Sequence, residues 1–141
     1  MENQELLWTN FQKHIGYTDE ELEEFKKSSK GVRLVERTQE LLKFRIVAEV
    51  IRSHGCTIGH KVGDKFVMSG MGTLETRKCP EHICMFALSY LSPFVAMIQD
   101  RISEGLDPNG LVYDRVSCMD VGLECGGWGQ ISMKVYAEKK T

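Results

Sequence analysis

The chain reads as one α+β domain, with helices laid on one face of a small, largely antiparallel sheet and a helical extension at its N-terminus. Three observations carry that expectation. Hydrophobic periodicity changes from helical to alternating near Lys43, proline and glycine punctuation separates the later segments, and two long alternating runs, "FRIVAEVI" and "QISMKVYAE", lie far apart in the sequence. Residues 1 to 43 form the extension and residues 44 to 138 the cysteine-containing core.

Within "YTDEELEEFKKSSKG", Thr18 is placed as an N-cap, acids occupy the first turn and lysines the last, and Gly31 ends the run, so a surface helix is expected. Leu22 and Phe25 share its inner face at i, i+3 spacing. "VRLVERTQELLKF" supports a second helix through Leu34, Thr38, Leu41 and Leu42, antiparallel to the first. A strand follows with Phe44, Ile46, Ala48 and Val50 on one face. "KFVMS" is a second short strand.

"CPEHICMFALSYL" reads as a helix with Pro80 at its first position and Cys79 near the cap. "SPFVAMIQDRISEG" repeats the signal, so either one helix kinks at Pro93 or two helices meet there. Ile83, Phe86, Ala87, Tyr90, Phe94, Met97 and Ile98 recur at helical spacing as a core stripe. "DPNG" is a turn, and "LVYDRVSC" and "QISMKVYAE" are strands on either side of "GLECGGWG".

The 141 residues fit one core, with 42% hydrophobic and 27% charged residues, as in an ordinary globular protein. A net charge of -2 without a basic run argues against nucleic acid as a partner. No segment reads as a signal peptide or a membrane span, so a cytoplasmic protein with no membrane partner is expected. A homo-dimer is expected from Trp8, Trp128 and several methionines in loop or terminal segments.

Five cysteines, Cys56, Cys79, Cys84, Cys118 and Cys125, are an odd number, which favours reduced thiols over a disulfide framework. They stand at element ends, where sites are commonly built. Cys56, Cys84, Cys118 and His60 are candidate metal ligands, and zinc or an iron–sulfur cluster is the cofactor chemistry that such donors allow. No other cofactor-binding residue is assigned. For cysteine catalysis the candidates are Cys84 or Cys79 as nucleophile, since a helix N-terminus favours the thiolate, with His82 or His60 as base and Asp120 orienting it. A third reading is a non-catalytic module for a small-molecule ligand or a subunit, with Met68, Met71, Met85 and Met119 around an adaptable apolar pocket; Trp128 reads either as the cover of a pocket or as a subunit-interface residue. Asp64 reads as a turn residue. "CGGWG" offers backbone amides to an anion, although a glycine-rich hairpin loop accounts for it more simply.

The stretches "GCTIGHKVGDKF", "CMFALSYLSPFV" and "VSCMD", in that order, resemble a family of small, largely uncharacterised cysteine-containing proteins of anaerobic bacteria and archaea. That family's core has a glycine and cysteine before a "vGd.f" segment, a cysteine-started helix and a late "V.C.D" strand. The resemblance implies an anaerobic, reducing setting and singles out Cys56, Cys84 and Cys118. The N-terminal helices, Cys79, Cys125 and "CGGWG" lie outside the core pattern.

Overall fold

A computed structural model describes residues 2–141, with the side chains from residue 3 onward. Contacts divide the chain into two compact units, one ending at Gln39 and the other Glu40–Thr141.

The first unit contains α1 (Glu2–Ile15), α2 (Asp19–Lys26) and α3 (Ser29–Glu36). Thr18 starts α2 through a reciprocal capping box. Its hydroxyl accepts the Glu21 N–H at 3.2 Å, and the Glu21 carboxylate accepts the Thr18 N–H at 2.8 Å. This helix ends at Lys26, short of Gly31, because Ser28 caps a new helix by accepting the Gly31 N–H. An aromatic cluster of Trp8, Phe11, Tyr17 and Phe25 holds the unit together, with Phe11 and Phe25 centroids 5.2 Å apart. Leu22 is buried, as its spacing predicts, while Phe25 joins the aromatic cluster.

The second unit begins within α4 (Thr38–Leu42) and continues into β1 (Phe44–His54), where the sequence period changes. β2 (Lys65–Ser69), β3 (Arg115–Ser117) and β4 (Gln130–Lys139) complete a wholly antiparallel sheet in the order β2-β1-β4-β3. Ile46, Ala48 and Val50 of β1, Phe66 and Met68 of β2, and Ile131, Met133, Val135 and Ala137 of β4 form one core face. Ala87, Leu91, Ile98 and Ile102 cover it from α5 (Met85–Leu88), the turn after it, and α6 (Ser92–Ser103).

The second helix expected over "VRLVERTQELLKF" is broken at Arg37 into α3 and α4, and three further expectations change in the second unit. The helix expected from Pro80 begins only at Met85, after an irregular stretch from Cys79 to Cys84, and ends at Leu88. Cys79 is extended, as a residue before proline tends to be, and its thiol is tied to β2. Two helices meet near Pro93 rather than one helix kinking there, and the interrupted register leaves Phe86, Tyr90 and Met97 exposed. The strand expected at "LVYDRVSC" shrinks to three residues, with Val112 and Tyr113 exposed before it. At "DPNG", the Asn109 amide bonds both the N–H and the C=O of Ala137, standing in for a neighbouring strand.

β1 has a bulge between Val50 and Arg52, after which Ser53 lies opposite Ile131. One extra residue therefore changes which alternate positions face inward beyond Val50. The Ser53 hydroxyl then donates to the His60 carbonyl at 2.5 Å, tying the following glycine-rich loop back to the strand.

Candidate functional site

The loop "HGCTIGH" leaves β1 and meets "CGGWG", which enters β4. Their glycines allow backbone to touch backbone. A Cβ on Gly129 would lie 2.0 Å from the Gly55 carbonyl carbon and oxygen, a separation no side chain tolerates. This approach sets Thr57 near Trp128, while a long hydrogen bond from the Met119 N–H to the Phe86 carbonyl at 3.3 Å joins the third segment. Together these segments border an open cleft of about 510 Å³ lined by Thr57, Phe86, Met119, Asp120, Val121 and the Gly126–Trp128 turn. Trp128 is 73% exposed, Phe86 51% and Met119 44%.

Asp120 organises one wall. The N–H groups of Gly122, Trp128 and Gly129 donate to its carboxylate at 2.9, 3.1 and 3.3 Å. The Gly122 hydrogen bond, with those of Gly129 and Trp128, holds its carboxyl below the usual carboxylate range despite partial desolvation. Two of these donors, Trp128 and Gly129, belong to "CGGWG", so that loop, for which a plain hairpin was the simpler expectation, turns its amides to the protein's own anion. Gly127 is needed beside it, because a Cβ there would fall 2.2 Å from an Asp120 carboxylate oxygen.

The segments of Cys56, Cys84 and Cys118 meet at this end of the unit, but their thiols do not line the cleft. All three are partly buried and pack against the hydrophobic core, while Thr57, Phe86 and Met119, one or two residues further on, face the opening. The Cys118 thiol accepts the Ile131 N–H at 3.5 Å and donates to the Asp120 carbonyl at 3.8 Å. Cys84 stands at the N-cap of α5 without a side-chain capping bond, and α5 has only four residues, too few to build the dipole that the nucleophile reading assumed. The Cys79 thiol accepts the Val67 N–H at 3.3 Å and donates to the Glu75 carbonyl at 3.3 Å. Cys125 is exposed in the loop.

His60 is only 4% exposed and sits edge-on to Phe66, with ring centroids 5.0 Å apart. Its Nδ1 lies 3.7 Å from an Asp64 carboxylate oxygen, and its Nε2 has no hydrogen-bond partner. Asp64 accepts the Lys61 N–H, the turn role expected from the sequence. His82 is exposed, and among the described residues no hydrogen bond joins it to a cysteine or to Asp120. Among the described residues no hydrogen bond links a cysteine, a histidine and Asp120 in series. Among the described residues, no three His, Cys, Asp or Glu side chains are grouped so that they could hold a metal ion.

Phe86 is the cleft residue that periodicity misassigns, because it fits the core stripe. Of the four methionines expected around a pocket, Met119 lines this cleft, Met68 and Met71 line a second one, of about 370 Å³, with Leu74, Leu88, Val95 and Gln99, and Met85 is exposed and lines neither. No helix among the described residues is long and apolar enough to cross a membrane. No protein-family model, curated protein or solved structure matches the chain.

Proposed function

We propose that the protein is a non-catalytic binding module that takes a small, largely apolar molecule into the cleft between the two glycine-rich loops. The observation that carries this reading is the exposure of Trp128, Phe86 and Met119 around one concavity rather than scattered over the surface. The rigid backbone contact at Gly55 and Gly129 and the Asp120 loop bonds support a wall formed before the ligand arrives. A fragment screen by protein-observed NMR tests it, with perturbations centred on the Trp128 indole and the Met119 methyl expected. Hits confined to other surfaces would refute the reading.

The second reading keeps Cys56, Cys84 and Cys118 as soft-metal or redox ligands in an anaerobic setting. Convergence of their three segments at one end of the unit favours it. A metal there requires the thiols to turn from the core, since no three-donor group is formed among the described residues. Elemental analysis of anaerobically purified protein, with thiol mapping, separates the two readings. Stoichiometric zinc or iron that protects the trio from alkylation would replace the binding-module reading.

A further inference from the structure

The charge of the cleft is one-sided. Its only ionisable lining residue is Asp120, and among the described residues this carboxylate has no ion pair. The three N–H groups that hold it are dipoles, so they fix its position without cancelling its net charge. The other walls are two aromatic rings, Trp128 and Phe86, with Met119 and Val121. An aromatic face is negative at its centre and attracts a cation, most strongly for tryptophan. Both electrostatic features therefore favour the same sign of ligand.

Resting on the binding-module reading, we infer that the cleft selects a small organic cation, an ammonium carrying apolar substituents, over neutral and anionic molecules of the same shape. Apolar substituents meet Phe86, Met119 and Val121, and the positive centre meets Trp128 and Asp120. Anions meet an unpaired carboxylate and no lysine, arginine or histidine in the lining. A phosphate or carboxylate ligand thus finds no cationic partner in the lining.

The test is calorimetry on the full chain with phenyltrimethylammonium, its neutral isostere tert-butylbenzene, and benzoate. The cation is expected to bind about tenfold more tightly than the isostere, within the range of cation–π gains for partly desolvated sites, and benzoate not to bind. Trp128→Leu keeps an apolar wall and the backbone N–H that bonds Asp120; it should weaken both ligands but the cation several-fold more, bringing the ratio of the two affinities close to one. Equal binding of cation and isostere to the unaltered protein would overturn the charge selection and leave the binding module standing. Tighter binding of benzoate would also overturn it. Failure of all three probes to bind would overturn both the selection and the reading beneath it.

Discussion

Replacing His60 by leucine should stabilise the protein, although it deletes the one histidine placed among the candidate ligands. The imidazole is buried beside Phe66, and its Nε2 has no hydrogen-bond partner. A buried polar atom left unpaired costs about 1–3 kcal/mol. The long contact from Nδ1 to Asp64, at 3.7 Å, lies outside hydrogen-bond range and returns little. Leucine gives up the edge-on ring contact with Phe66, worth about 0.5–1.5 kcal/mol, but fills nearly the same space with apolar atoms. The balance favours His60→Leu by about 1 kcal/mol, or a rise of roughly 4 °C in Tm for a protein of this size. Urea unfolding at neutral pH with and without a chelator measures it. A loss of more than about 1 kcal/mol, abolished by the chelator, would show that Nε2 holds a metal and refute the argument.

Gly129→Ala should destabilise by about 1–3 kcal/mol or more, since its Cβ needs the two loops to separate by over an ångström; unchanged Tm would mean that the contact with Gly55 is not maintained in solution. Asp120→Ala should make a difference that depends on pH. Because the folded carboxyl is held below its ordinary value of 3.8, its contribution is present at neutral pH and is lost as pH falls below that value. The denaturation midpoints of the two proteins should therefore converge in acid, and a gap that stays constant from pH 7 to pH 2 would refute the ionic role.

The sequence by itself determined several of the local elements. Thr18 and Glu21 specify a helix start because capping partners lie three residues apart, and Ile46, Ala48 and Val50 specify a strand face because β geometry alternates at every residue. β2 and β4 are equally legible for that reason. Pro80 misled because a proline suits a helix start as well as an extended stretch, and the choice was made by the bond between Cys79 and Val67, twelve residues away. Phe86 fitted a helical stripe until the break before α6 turned it outward. Cysteine spacing marked the segments that converge on the cleft, but only tertiary structure decided that the thiols face the core and the residues beside them face the opening. Asp120 was legible as an acid, not as the anion of a backbone nest, because its donors acquire their directions only once Gly122 and Trp128–Gly129 fold around it. Sequence spacing sets what a residue can reach within its own turn or strand, while the meeting of Gly55 with Gly129 depends on the β1 and β4 pairing that brings distant loops together.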